Sequence, residues 1–212
     1  MVPELIEIPD PNVYTAYGVY FLKSKHKFVQ RLRRNNHLPE AHGYRTWQSS
    51  FLLMDYLEHY PPKEKSNVMD IGCGWAPVGV FCARRFHARV SGVDTDEHVF
   101  PYMELLAALN DVKVSRIKST FEKLTARRLS TEDLIVGSDI CFWDEMVRPL
   151  YNLINRALKA GVPRIVLSDP GRPTFFELAT KCESKWGSEL IRWYALEPKR
   201  HNGEVLEIVN PF

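Results

Sequence analysis

Short apolar runs alternate with amphipathic segments along most of the chain. Runs such as Val68–Ile71 and Val90–Val93 predict buried strands, and apolar residues at helical spacing in Val78–Arg85 predict a helix between them. This alternation continues almost to the C-terminus, which predicts a doubly wound α/β sandwich around a mostly parallel sheet. The further predicted strands are Val112–Ile117, Ile140–Trp143, Arg164–Leu167, Leu190–Leu196 and Val205–Val209, and the further predicted helices are Val99–Leu109, Val147–Ala160 and Thr174–Trp186.

Both ends of the chain depart from the alternation. The last two predicted strands are joined by KRHNG, which favours an antiparallel hairpin at one edge of the sheet. Near the N-terminus, the pattern predicts a basic amphipathic helix over Val19–Arg34 and a second helix that Thr46 or Ser49 caps. A break at His42-Gly43 divides the chain into a basic helical arm, residues 1–42, and an α/β domain, residues 43–212.

Composition narrows the class of protein. With 212 residues, 45% hydrophobic and 25% charged, the chain has the size and make-up of an ordinary globular domain. It contains no apolar run long enough for a bilayer, and its start resembles no signal peptide, so we expect no membrane association and a cytoplasmic location. The four cysteines lack metal-ligand spacing, which favours buried free thiols and no metal site.

Charge is unevenly distributed although the net charge is only +2. The stretch from Pro11 to Pro39 contains no acidic residue. Two interpretations stay open: a solvated helix face, or a surface that docks an acidic protein partner or a nucleic-acid backbone. We expect a protein substrate docked in part by this arm, and nucleic acid is disfavoured. The basic residues are Lys23, Lys25, Lys27, Arg31, Arg33 and Arg34.

The segment DIGCGWAPVG carries the strongest chemical signal. A strand leads into Asp70, then Gly72 and Gly74, then a helix, and Asp94 closes the next strand. In nucleotide-binding α/β units the glycines admit a ligand close to the backbone, and the second acid can bind ribose hydroxyls. A dinucleotide site would need a third glycine where Pro77 stands, and no phosphate-binding Lys-Ser/Thr pair follows. S-adenosylmethionine fits better, since Asp70 suits its cationic amino-acid end.

The chain resembles the class I, seven-stranded S-adenosylmethionine-dependent methyltransferases over roughly residues 43–209. Within them it is similar to the seven-β-strand protein lysine methyltransferases, on Trp47 in GYRTWQSS, the Asp70-to-Gly74 turn and Asp139-x-x-Phe142. The segment DPGRP that begins at Asp169 is similar to the branch that modifies the β subunit of electron transfer flavoprotein. The resemblance implies a Rossmann-like, seven-stranded sheet whose last strand is antiparallel.

The resemblance also implies a set of site residues. Three departures from the family pattern concern them: Ala76 replaces a common glycine, Phe142 lacks a hydroxyl, and Lys118-Ser119-Thr120-Phe121 stands where many relatives have an acid for adenine. The implied cofactor-binding residues are Trp47, Asp70, Gly72, Cys73, Gly74, Asp94, Thr95, Thr120 and Phe121, and the implied catalytic residues are Asp139, Phe142 and Trp143.

These observations predict a methyltransferase that acts on a protein lysine amine. Such an amine has a pKa of about 10.4 and is charged at neutral pH, so a carboxylate such as Asp139 could hold it while aromatic rings favour proton loss. Two alternatives stay open: a small-molecule N-methyltransferase, because this fold does not specify the acceptor, and a non-catalytic cofactor-binding module. A nucleic-acid methyltransferase is disfavoured because no Asn/Asp-Pro-Pro-Tyr/Phe segment follows the fourth strand.

Overall fold

A computed structural model describes residues 10–39, 43 and 45–212. Helices and strands alternate from residue 67 onward, as the hydrophobic pattern predicts. Within the described residues, no helix combines the length and the hydropathy that crossing a bilayer requires. The strands are β1 (Val13–Ala16), β2 (Val19–Leu22), β3 (Asn67–Ile71), β4 (Arg89–Asp94), β5 (Val114–Lys118), β6 (Leu134–Ser138), β7 (Arg164–Asp169), β8 (Glu189–Ala195) and β9 (His201–Val209). The helices are α1 (Lys27–Arg34), α2 (Gln48–His59), α3 (Pro77–Phe86), α4 (Phe100–Leu109), α5 (Ala126–Leu129), α6 (Asp144–Lys159) and α7 (Pro173–Trp186), and a short 3-10 turn, Glu97–Val99, precedes α4.

Seven strands form one sheet in the order β5-β4-β3-β6-β7-β9-β8. Strands β3 to β7 are parallel, whereas β9 runs antiparallel to both β7 and β8. The predicted α/β fold and its antiparallel C-terminal pair are confirmed. Because the strand order reverses between β3 and β6, the carboxyl ends of these strands form the crevice where open α/β sheets bind ligands.

Alternate side chains of the strands fill two apolar layers, one on each face of the sheet. Val68 and Val166 pack with α2 and α3, while their neighbours Met69 and Ile165 pack with α6 and α7. Central parallel strands are covered by helices on both sides, which explains their nearly continuous apolar sequence. This two-sided core holds the carboxyl edge of the sheet in a fixed position.

The predicted helix over Val19–Arg34 is wrong in its first half. Its first residues form β2, which pairs with β1 in a hairpin, and only Lys27–Arg34 is helical. Val19 and Phe21 are buried on one side of the strand, and the connecting Tyr17-Gly18 both take positive φ, as two-residue hairpin turns require. The hairpin packs into the same apolar layer as α2 and α3. The division of the chain at residue 42 stays a prediction, and His42 itself lies outside the described residues.

The predicted strand Ile140–Trp143 is also wrong. The strand is β6, which ends at Ser138, and Asp139 then takes a φ of 61° that turns the chain out of the sheet. Ile140 is buried although it lies in a loop. Its side chain packs against the glycine turn so closely that a Cβ on Gly72 would lie 2.5 Å from the Cγ2 atom of Ile140. The loop delivers Phe142 and Trp143 to the carboxyl edge of the sheet rather than into it.

Candidate functional site

A cavity of about 390 Å³ opens at the carboxyl edge of β3, β4, β5 and β6. Its walls come from the loops after these strands and from the segment before α2, which comprises residues 43 and 45–47. This is the crevice that the strand order predicts. Eleven of the twelve residues predicted from the sequence line it: Trp47, Gly72, Cys73, Gly74, Asp94, Thr95, Thr120, Phe121, Asp139, Phe142 and Trp143.

The glycine turn after β3 forms the floor of the cavity. Gly72 and Gly74 have φ values of 60° and 52°, a region that disfavours side chains. A hydrogen bond from the Cys73 amide to the Val93 carbonyl, 3.0 Å, ties the turn to β4. A Cβ on Gly74 would meet no described atom within 4 Å, so the turn leaves open space toward the cavity where a ligand can approach the backbone.

Asp94 joins the glycine turn to the next strand end. One carboxylate oxygen accepts a hydrogen bond from the Gly74 amide at 2.9 Å, and the other accepts one from the Asp96 amide at 3.0 Å. Burial raises the pKa of Asp94, while both amides oppose the rise. Each carboxylate oxygen can accept more than one hydrogen bond, so the group retains capacity for the ribose hydroxyls that the sequence predicts.

Asp70 is the predicted site residue that does not line the cavity. Its carboxyl group is buried beneath the turn and accepts a hydrogen bond from the Gly79 amide at 2.9 Å. The pKa of Asp70 is raised to about 8: burial is the largest cause, the Gly79 amide opposes the rise, and the charge of Asp94 adds to it. The structure therefore gives Asp70 a partner in the first turns of α3, where it holds the helix against the glycine turn.

The segment before α2 covers the glycine turn. The indole nitrogen of Trp75 donates a hydrogen bond to the Gly43 carbonyl at 2.8 Å, which pins this segment. Trp47 occupies the N-cap position of α2 and lines the cavity, whereas the predicted caps were Thr46 or Ser49. The guanidinium of Arg45 lies 3.9 Å from the centroid of the Trp47 ring. Sequence reasoning missed both Arg45 and Trp75, although each neighbours a predicted site residue.

Asp139 lies at the other end of the cavity in a network of side chains. Its carboxylate forms an ion pair with Arg172 and accepts a hydrogen bond from the Ser49 hydroxyl at 3.3 Å. Arg172 also pairs with Asp169 at 2.7 Å. Asp169 is fully buried, so desolvation raises its pKa, while Arg172 lowers it. Arg172 belongs to the DPGRP segment that the sequence analysis singles out, but its pairing with Asp139 across 33 positions is a tertiary feature.

Two aromatic rings stand beside Asp139. The centroids of Phe142 and Trp143 lie 5.0 Å apart with their planes nearly perpendicular, and Trp143 is 51% exposed. On the opposite side, Glu122 lines the cavity one position beyond Phe121. Its pKa is lowered by hydrogen bonds from its own amide and from the Thr120 hydroxyl. An acid is thus present in the loop after β5. The sequence analysis did not expect one there, because Lys118-Ser119-Thr120-Phe121 stands where many relatives have an acid.

Comparison with known proteins gives one family match and one group of curated relatives that share part of the chain. Residues 68–161 match the family model described as a methyltransferase domain. The phenylalanine–tRNA ligase alpha subunit of Staphylococcus saprophyticus is 32% identical over 99 residues, which is 45% of this chain and 28% of that protein. The chain thus spans about a quarter of the length of the curated relatives it matches.

Solved methyltransferase structures share the fold at low sequence identity. TrmN from Thermus thermophilus matches with a TM-score of 0.61 and 15% identity, over 77% of this chain and 50% of that one. The ribosomal protein L11 methylase from Lactobacillus delbrueckii matches with a TM-score of 0.57 and 17% identity, over 78% and 79%. A precorrin-6y C5,15-methyltransferase from Geobacter metallireducens matches with a TM-score of 0.56 and 13% identity, over 82% and 94%. The class I fold is confirmed, whereas the lysine methyltransferase branch stays a prediction.

The family match implies S-adenosylmethionine as the cofactor, and the cavity fits this molecule. Gly74 leaves open space at the turn, and the carboxylate of Asp94 lines the cavity beside it. The acids that line the cavity also suit a ligand that carries both a sulfonium and an ammonium group. These acids are Asp94, Asp96, Glu122 and Asp139.

Proposed function

We propose that this protein transfers a methyl group from S-adenosylmethionine to the side-chain amine of a lysine in another protein. One observation carries the proposal: a single cavity connects the ribose-binding acid, Asp94, with a second acid, Asp139, beside an aromatic wall. Such an arrangement can hold a cofactor and a cationic acceptor in line with one another, and this alignment is the main contribution a protein makes to methyl transfer.

The size of the cavity favours an acceptor that remains mostly outside it. A volume of about 390 Å³ is near the lower end of the range for small-molecule sites, about 300–1,000 Å³. The cofactor would occupy much of this space, so a second small molecule would lack an enclosed site of its own. A lysine side chain needs only to insert its amine past the exposed ring of Trp143. This supports a protein acceptor over the small-molecule alternative.

The residues around Asp139 suit an amine that arrives charged and must react neutral. S-adenosylmethionine, when bound, supplies the methyl group as a sulfonium electrophile. The carboxylate of Asp139 would hold the ammonium group, and the rings of Phe142 and Trp143 would desolvate it and favour loss of its proton. Arg172 pairs with this carboxylate, and it also pairs with the carboxylate of Asp169. An incoming amine can therefore take Asp139 without leaving Arg172 unpaired.

The basic residues before the domain support docking of an acidic protein partner. Lys23, Lys25 and Lys27 are exposed, and the neighbouring Phe28 is 46% exposed. Complementary charge mainly accelerates and orients encounter rather than adding affinity. The four cysteines are buried and free, which supports a reducing, cytoplasmic location.

The test compares Asp139→Asn with the matched variant Asp144→Asn, which alters an exposed acid five positions later, in α6. Each protein is incubated with S-adenosylmethionine labelled in its methyl group and a cell lysate, and the labelled protein is analysed for methyl-lysine. We expect at least a tenfold loss of transfer for Asp139→Asn, with the affinity for S-adenosylhomocysteine kept within twofold, because the interaction is made with the acceptor. The control should keep full activity.

Three outcomes contradict the proposal. Full transfer by Asp139→Asn would remove this carboxylate from the acceptor site. Label that appears only in small molecules would favour the small-molecule methyltransferase. Cofactor binding by the wild type without any transfer would favour the non-catalytic module.

A further inference from the structure

We infer that Arg45, stacked on Trp47, forms a carboxylate-binding subsite in the cavity and takes the α-carboxylate of the cofactor's amino-acid end. The inference rests on the proposed function, since it names a contact to the same cofactor. Among the described residues that line the cavity, four carry a carboxylate and Arg45 alone carries a permanent positive charge. A carboxylate entering this cavity therefore meets repulsion from each acid and attraction from Arg45.

The position of Arg45 along the sheet edge agrees with this role. Asp94 ends β4 and Glu122 follows β5, both on one side of the glycine turn. Arg45 belongs to the segment before α2, which Gly43 ties to Trp75, the residue directly after the turn. A nucleoside held through its ribose at Asp94 would lie toward β4 and β5. Its amino-acid end would then extend across the turn toward the segment before α2.

Beyond Trp47, the first turn of α2 is joined to the opposite half of the sheet edge. The hydroxyls of Ser50 and Ser138 are 2.9 Å apart, and the Ser49 hydroxyl donates to Asp139. The segment that carries Arg45 therefore connects the glycine turn with the ends of β6 and β7. Arg45 lies along the chain between these two contacts and lines the same cavity as Asp94 and Asp139, so the amino-acid end of a cofactor whose sulfur approaches Asp139 could reach it.

The stacking geometry prepares the guanidinium for this contact. A guanidinium that stacks on an indole contacts the ring with the flat face of the guanidinium. The N–H donors point outward in the guanidinium plane, where two of them can bind one carboxylate. The ring of Trp47 holds the charged group 3.9 Å from its centroid, which limits the side-chain freedom that binding would otherwise remove. Trp47 then acts on the cofactor partly through Arg45.

Calorimetry with two ligands tests the subsite. S-adenosylhomocysteine retains the carboxylate, and its decarboxylated analogue lacks only that group. We expect Arg45→Gln to weaken S-adenosylhomocysteine binding at least tenfold, about 1.4 kcal/mol, and to change binding of the analogue less than twofold. Arg45→Lys should restore part of the affinity for S-adenosylhomocysteine. Lys118→Gln removes an exposed charge from the same edge of the sheet, outside the cavity wall, and should affect neither ligand.

Each remaining outcome overturns the inference in a recognisable way. Equal weakening of both ligands by Arg45→Gln would mean that Arg45 only supports the packing of Trp47. Unchanged affinity for S-adenosylhomocysteine would place the carboxylate elsewhere. If the wild-type protein binds neither ligand, the proposed function fails and the subsite fails with it. Thermal unfolding of each Arg45 variant shows whether it is folded under the conditions of the titration.

Discussion

The two ends of the cavity, which we propose hold the cofactor and the acceptor, differ in the partners of the acids that line them. At the cofactor end, carboxylates accept hydrogen bonds from backbone amides, as Asp94 does from Gly74. At the acceptor end, Arg172 joins Asp139 to Asp169 through side-chain ion pairs. Backbone donors persist through most substitutions, whereas an ion pair depends on every partner being present. Substitution of a single side chain should therefore disturb the acceptor end more than the cofactor end.

The largest expected effect comes from breaking the ion-pair network. Arg172→Gln leaves fully buried Asp169 without its cation, which should lower the free energy of unfolding by about 2–3 kcal/mol. The matched variant Arg116→Gln breaks an exposed pair with Glu104 and should cost less than about 1 kcal/mol. Urea unfolding measures both. Equal costs for the two variants would contradict the contrast between the two ends, as would a loss of cofactor affinity in Arg172→Gln.

The stability difference between wild type and Arg172→Gln should also depend on pH. Burial raises the pKa of Asp169 and Arg172 lowers it, so the substitution raises this pKa further. A raised carboxyl pKa contributes stability at low pH that is lost as the pH rises through the native value. The deficit of the variant should therefore grow as the pH rises above the unperturbed value of 3.8, and shrink as acid protonates Asp169 in both proteins.

A smaller effect, in binding rather than stability, is expected at the cofactor end. Asp94→Ala should weaken S-adenosylhomocysteine binding at least tenfold, because a charged acceptor for hydroxyls contributes about 1.5–3 kcal/mol. Asp133→Ala is the control, since Asp133 also accepts a backbone amide hydrogen bond, from Asn67 at 2.8 Å, but at the opposite end of β3. Titration calorimetry measures both affinities. A weakening shared by the control would show that loss of stability, rather than loss of the ribose contact, reduces binding.

The smallest expected effect comes from adding a methyl group at a glycine, which tests whether the glycine is needed for its backbone conformation or for room beside the ligand. Gly74 and Gly187 both have positive φ, 52° and 66°, and a Cβ on either would meet no described atom within 4 Å. Alanine at either position should lower the free energy of unfolding by about 1 kcal/mol, because this conformation disfavours side chains. Only Gly74→Ala should weaken cofactor binding, since Gly74 lines the cavity and Gly187 ends α7. If calorimetry gives the Gly74→Ala and Gly187→Ala variants equal affinities for S-adenosylhomocysteine, Gly74 does not lie against the cofactor.

Local patterns predicted most of the fold and most of the cofactor end. From β3 to β9 the apolar periodicity located nearly every element to within a few residues, because the central strands are covered on both faces and must be apolar. It failed at Ile140–Trp143, where apolar residues pack in a loop, and at Val19–Leu22, where burial of alternate residues made a strand. In both places the neighbours that bury the side chains are distant in sequence.

The sequence by itself determined the strand, glycine turn and acid that form the cofactor end, since these lie within one β-α-β unit and depend on local backbone requirements. Only the tertiary structure decided the partners of Asp139 and the place of Arg45 in the cavity wall. It also showed that Asp70 lies beneath the turn, bound to α3 rather than facing the cavity. The physical reason is that ion pairs and burial depend on which segments come together in space. Segments that are far apart along the chain leave no local sequence pattern that reveals such contacts.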